Sequence, residues 1–544
     1  MKVLIPGLIL LITLSGCYKG KRVDIIVHNA DIHVLNDAMD KASAMAIADG
    51  EIIEVGPERA ILNKYHAPQL LNAEQKDVLP GLHDAHTHIM ALAKQRLILD
   101  LTATKSYEAM LRKVKKHASN STSSVVYGRG WDQSLWPESA MPDNRKLNQL
   151  FPNTPVALER VDGHTMLVNQ AMLSLAQIDT ATHVEGGEVI TDQQGALTGI
   201  LMDHAIDLIQ PHLPQPSPTE IKEQLMILQR ELFALGITNI HEAGLSHRDL
   251  NILQEMAQSD QLQLNVYGML FPSEDNIAFA EEQGYYENGP LSIRSFKIVA
   301  DGSLGSHGAC MIDPYTDTST HGFLLKSPTE IKRIFGIGKS LDYQVNSHCI
   351  GDSTNRLVLK IIDSLMSDQP DHRWRIEHAQ IVHPDDFELF NSSNVIPSVQ
   401  PTHATTDQRW AENRIGKNRL ENGGYAYRSL HKQTGMLLFG TDFPVESFNP
   451  FATIHSAVQR KNTEDQPSDG FLPAESVSLS TTLKAMTLWA AFGSFQGHKS
   501  GSLQKGKDAT FIILDQPLNS SSTYVPNYAA QTYIKGERVY NMDL

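Results

Sequence analysis

Four short segments carry side chains that bind divalent cations. The first is Pro80-Gly-Leu-His-Asp-Ala-His86-Thr87-His88. On a β-strand residues i and i+2 share a face, so His86 and His88 present two imidazoles side by side. Single histidines close two later apolar segments, Asn346-Ser-His348-Cys and Arg375-Ile-Glu-His378-Ala, and an aspartate closes a third, Phe439-Gly-Thr-Asp442-Phe-Pro. In a chain with 23 histidines one His-x-His pair carries little weight. Its recurrence at the ends of successive strands is what describes a cage for a cation. With only three cysteines, the ligands are nitrogen and oxygen rather than thiolate, a set that suits zinc, manganese or iron.

Such residues must be brought together by a scaffold, and the middle of the chain alternates apolar strand-like runs with helix-like stretches. That is the pattern of a parallel sheet covered by helices. Eight candidate strands end in polar residues: 79–88, 238–242, 264–270, 295–301, 344–349, 373–379, 395–400 and 437–442. Eight is the number that closes a (β/α)₈ barrel, whose active sites lie at the C-terminal strand ends. The long gap after the first strand, about 95–218, reads as an inserted α/β subdomain. Both ends of the chain are β-rich, with hairpin turns at Asp49-Gly50 and Lys535-Gly536. The expected fold is therefore α/β: a distorted TIM-like barrel over 81–499 and a small β-sandwich built from 22–80 and 500–544.

The 544 residues contain 62 acidic and 46 basic side chains, for a net charge of −16. That balance argues against a nucleic-acid partner. The chain starts MKVLIPGLILLITLSGC, one lysine before an apolar run too short for a permanent membrane span. This resembles a bacterial lipoprotein signal over 1–16, with Cys17 as the lipidated residue. Acyl chains on Cys17 tether a domain to a membrane without a spanning helix. Tyr18 in place of aspartate favours the outer membrane, with the protein facing the periplasm. Cys310 and Cys349 are expected to be free and buried.

The motifs PGLHDAHTH, GWDQSLWP, ERVDGH, FKIVADGSLGS, NSHCIGD, RIEHAQIV and GTDFPV occur in this order along nearly the whole chain. Together they resemble the metal-dependent amidohydrolase superfamily, in particular its amidohydrolase-3 family, which includes N-substituted formamide deformylases. The resemblance implies that His86, His88, His348, His378 and Asp442 are metal ligands. It also implies a carboxylated Lys297, a CO₂-derived carbamate bridging two divalent ions. Asp442 is the expected proton carrier, and His164 the expected partner of the substrate carbonyl or leaving group. Arg160, His241, Asp301 and Trp410 are placed around the substrate. Two segments depart from the family pattern: His307 stands where an arginine is expected, and His164 is followed by Thr-Met-Leu-Val-Asn-Gln. Both bear on the substrate rather than the metals.

The resulting expectation is a hydrolase of a small-molecule linear amide, N-formyl or N-acyl, acting through a metal-activated hydroxide. The alternatives are a cyclic-amide or lactone hydrolase or a deaminase on the same scaffold, and a solute-binding lipoprotein without catalysis. The oligomeric state stays open, a homodimer included. Cys17→Ser is expected to leave the protein unprocessed or soluble; cell fractionation and lipid labelling check this, and unchanged membrane retention overturns it.

Overall fold

A computed structural model describes residues 20–543 except 121–122, 138–139, 162, 164, 185–186 and 519–522. The signal-like segment with Cys17, and the candidate His164, lie outside the described residues.

The eight apolar runs form eight parallel strands: β1 Leu82–Thr87, β2 Ile237–Leu245, β3 Asn265–Leu270, β4 Leu291–Val299, β5 Gln344–Cys349, β6 Arg375–His378, β7 Ile396–Val399 and β8 Leu438–Phe439. Each pairs with the next in chain order, which is the expected TIM-like fold. Two differ from their expected extents. The run 79–88 divides at Gly81: Asp77–Pro80 joins another sheet, and β1 starts afresh beyond it. Strand β4 starts earlier than expected, because its first half is paired on one side by the antiparallel strand Tyr286–Asn288. Helices between the strands cover the sheet, and Asp352–Met366 buries Val358, Leu359, Ile361, Ile362 and Met366 on one face. Serines 246, 273 and 327 cap the helices after β2 and β3 and before β5 by accepting a backbone N–H.

Strands β8 and β1 are joined by a few specific bonds. The backbone N–H of Asp442 donates to the His86 carbonyl at 2.8 Å, and that of His88 to the Phe443 carbonyl at 2.9 Å. The buried Asp84 carboxylate accepts the Thr441 N–H at 2.9 Å and the Thr441 hydroxyl at 2.6 Å. Burial pushes the Asp84 carboxyl up to about 7, against the pull of these Thr441 bonds. The two strands approach so closely at Gly440 that a Cβ there would lie 2.4 Å from the His86 nitrogen.

Two further sheets draw strands from both ends of the chain. A four-stranded sheet has the order Glu51–Gly56, Ala44–Ala48, Ile25–His28, Gln69–Asn72. A six-stranded sheet places Asp77–Pro80 between Asp31–His33 and Phe511–Leu514, followed by Ala529–Ile534 and Glu537–Asn541. Their shared core includes Val27, Ile47, Val78, Phe511, Ile513 and Tyr533. Both expected hairpin turns have left-handed residues, Asp49 and Gly50, Lys535 and Gly536, as a tight two-residue turn requires. Residues Ile89–Leu228 form a separate compact unit. It holds a six-stranded mixed sheet from Leu99–Asp100 to Leu197–Asp203, over a core of Leu101, Trp131, Leu158 and Leu167.

Gly440→Ala is expected to force β8 away from β1 and to lower both the denaturation midpoint and the metal content. Gly336, inside the helix Pro328–Ser340, has open space at its Cβ position. Gly336→Ala is therefore expected to raise stability by about 0.5–1 kcal/mol. Urea denaturation of the two variants checks both signs.

Candidate metal centre

At the C-terminal ends of the strands, ligand atoms of His86, His378 and Asp442 all lie within 4.8 Å of one another. Three more expected ligands join them. His88 Nε2 is 3.1 Å from Asp442 Oδ1. Lys297, on β4 and 2 % exposed, brings Nζ to 3.2 Å from His86 Nε2. The His348 ring, at the end of β5, lies 4.5 Å from that of His378.

Hydrogen bonds fix which nitrogen faces the centre. Glu377, fully buried, accepts from His86 Nδ1 at 2.6 Å. The Gln400 side-chain oxygen accepts from His378 Nδ1 at 2.8 Å. In both rings Nε2 is left as the lone-pair atom, the arrangement found around metal-bound histidines. Burial first, and neighbouring charges second, push His86 and His378 well below the ordinary imidazole range and His348 down to about 3. Burial thus favours the neutral rings that metal ligation requires. Burial alone would raise the Asp442 carboxyl. The imidazoles of His86, His88, His378 and His403 outweigh it and hold Asp442 well below the usual carboxylate range. Burial lowers the Lys297 ammonium, opposed by Glu377 and Asp442.

The donor set fits a divalent cation. His348 Nε2 and His403 Nε2 are buried with no hydrogen-bond partner among the described residues, and buried polar atoms are seldom left so. Neutral nitrogens, one carboxylate and a lysine of lowered basicity suit zinc, manganese or iron.

Backbone strain marks the same residues. His378 and Asp442 have φ of 75° and 61°, a left-handed region that non-glycine residues enter at a cost. On β6 Arg375 and Glu377 share the face turned into the barrel, so strict alternation would turn His378 outward. The left-handed turn brings it back over His86.

Several residues of the site gave no signal in the sequence reading. His403, in the helix Pro401–Asp407, stacks on His378 at 5.9 Å and lies 3.5 Å from Asp442 Oδ2. Its only sequence cue is a position just after β7. Glu377 and Gln400 are neighbours of strand ends already noted, but nothing in their spacing distinguished them. Below Glu377, Arg375 is fully buried, 3.8 Å from Glu377 Oε1 and 3.1 Å from His241 Nδ1.

Two expected substrate contacts are packed against protein groups. His241 sits in the barrel interior against Arg375, 1 % exposed. Asp301 is fully buried, its carboxylate accepting the backbone N–H groups of Ile350, Gly351 and Cys310 at 2.9–3.0 Å. It shapes the turn after β5. Trp410 is half-buried, with the Arg414 guanidinium 6.0 Å from its ring. Arg160 belongs to the inserted unit, where it donates to Gln133 and Asp132 at 2.8 and 2.9 Å. His307, the departure from the family pattern, bonds Asp317 at 2.9 Å. Cys310 and Cys349 are both free; Cys349 is buried as expected, whereas Cys310 is only partly buried.

A parallel eight-stranded barrel with a nitrogen-and-oxygen cage at its C-terminal mouth defines a metal-dependent hydrolase. The chain belongs to the amidohydrolase family, whose sequence profile matches residues 69–540. It is 29% identical to protein LONG AFTER FAR-RED 3 of Arabidopsis thaliana, over 96% of this chain and 92% of that protein. It is 22% identical to an N-substituted formamide deformylase of Arthrobacter pascens, over 91% and 93% of the two chains. An uncharacterised metal-dependent hydrolase from Pyrococcus furiosus has the same fold with a TM-score of 0.76 and 26% identity, covering 90% of this chain and 99% of that one.

Glu377→Ala removes the acceptor that orients His86 and is expected to weaken metal binding by about 10- to 100-fold. Competition with a chromophoric chelator measures it, and unchanged affinity would show that His86 needs no such support.

Proposed function

We propose that this hydrolase cleaves a linear, non-peptide carbon–nitrogen bond, N-formyl or N-acyl, in a small-molecule amide. The observation that carries the reading is the convergence of imidazole Nε2 atoms and the Asp442 carboxylate at the barrel mouth. The deformylase relative supports the choice of bond. A divalent cation held there, zinc foremost, supplies a water of lowered pKa and polarises the scissile carbonyl.

The side chains do the rest. His86 and His378 stay neutral and fixed through Glu377 and Gln400. Asp442 takes a proton from the attacking water and returns it to the leaving nitrogen, while His403 faces its other oxygen. Lys297, buried beside His86, forms a carbamate when its neutral amine adds CO₂ and releases a proton. Its single negative charge, shared over two oxygens, would let Lys297 help to hold a second ion. In the cell we place the protein as a lipoprotein of the envelope, anchored through Cys17.

Metal-loaded protein assayed on N-formyl, N-acyl, cyclic-amide and lactone compounds tests the reading. Turnover confined to the cyclic amides or lactones overturns it. Asp442→Asn keeps a weak ligand oxygen but cannot shuttle protons. It is expected to lower kcat at least about 100-fold while retaining most metal; substantial activity at full occupancy would move the proton role to another residue.

A further inference from the structure

We infer that the cavity beside Lys297 is a specificity pocket for an apolar group that carries a carboxylate, so that the amide substrate is anionic. This rests on the amide reading above and narrows its substrate class. The cavity has a volume of about 410 Å³, within the range of small-molecule sites. Its floor is Lys297 and Val299, which alternate onto one face of β4. Lys297 Nζ is also 3.2 Å from His86 Nε2, so the cavity shares this one residue with the metal centre.

The walls are apolar and fixed. Phe271 and Pro272 form one of them. The Phe271 ring rests on Gly244, where a Cβ would lie 2.3 Å from it, and its N–H bonds the Leu245 carbonyl at 3.0 Å. Leu325 forms the other, held by its N–H to the Ala300 carbonyl at 2.8 Å. Phe271 and Leu325 remain 40% and 52% exposed. Large apolar side chains anchored in place yet left open to a cavity are the surface that an apolar ligand group covers.

The charge at the rim supplies the second half. Lys326 lines the cavity next to Leu325, and its ammonium has no hydrogen-bond or ion-pair partner among the described residues. In a chain with 62 acidic and 46 basic groups, an ammonium beside an apolar pocket that no carboxylate pairs is set to receive an anion. A carboxylate on the substrate's apolar group would form a charge-assisted bond there, partly shielded from water by Phe271 and Leu325.

Two measurements on metal-loaded protein separate this inference from the amide reading. The first is equilibrium binding by calorimetry of 3-phenylpropanoate against 3-phenylpropanamide, which share the apolar group and differ in that an uncharged amide replaces the carboxylate. The acid is expected to bind at least about tenfold more tightly. Lys326→Ala should abolish that preference, and Leu325→Ala should weaken both ligands. No binding, or a preference for the acid that survives Lys326→Ala, overturns the pocket. The second is kcat/KM for N-formylphenylalanine, in both enantiomers, against N-formylphenethylamine, which lacks only the carboxylate. A preference for the acid that disappears in Lys326→Ala supports the inference. Cleavage of both at rates that ignore Lys326 leaves amide hydrolysis standing and the pocket overturned. Lys326-dependent binding with neither amide cleaved keeps the pocket and rejects the reaction. Lys326 and Leu325 lie at the surface, so circular dichroism of both variants should match the parent.

Discussion

The site depends on the seam between the first and last strands of the barrel. Asp442 reaches His86 and His88 only because β8 is bonded to β1 through the Asp442 N–H, the His88 N–H and the doubly bonded Asp84 carboxylate. These contacts span most of the sequence. A buried carboxyl forced up to about 7 is a costly way to hold two strands together. Its two bonds to Thr441 offset part of that cost and fix the register in which Asp442 faces the histidines.

Above the seam, the site is built by removing freedom from imidazoles. Each of His86 and His378 has one nitrogen committed to an acceptor, and burial removes the charged form. What remains is a set of lone pairs aimed at one small volume. The buried ion pair of Arg375 and Glu377 adjoins them, so a polar pair in the barrel interior also supports the ring of His86. Barrel interiors are usually filled by branched apolar residues; this one exchanges part of that packing for control of a ligand.

Strands and their C-terminal polar residues were legible because apolar runs and histidine spacing are local signals. His86 and His88 follow from alternation alone. His378 does not: alternation turns it away from the site, and only a left-handed backbone returns it. Glu377 and Gln400 act through partners far away in sequence, so no local pattern marks them. Asp301 and His241 had the right types and positions for substrate contacts. Whether such a residue faces open space or protein depends on the loops folded over it, which spacing does not encode. The lysine at 326 escaped notice for a similar reason, since a lone cation acquires meaning only from its neighbours.

The placement of Asp77–Pro80 between Asp31–His33 and Phe511–Leu514 also governs the order in which the protein can be made. On the ribosome this strand emerges early, and one of its edges has no partner until the final segments follow. At about 5–20 residues per second that wait is roughly 20–90 s. An open strand edge is a template for mispairing with other chains. The nascent protein must therefore keep that edge covered or unformed through most of its synthesis. The first barrel strand, directly attached beyond Gly81, receives its anchor from residues translated last.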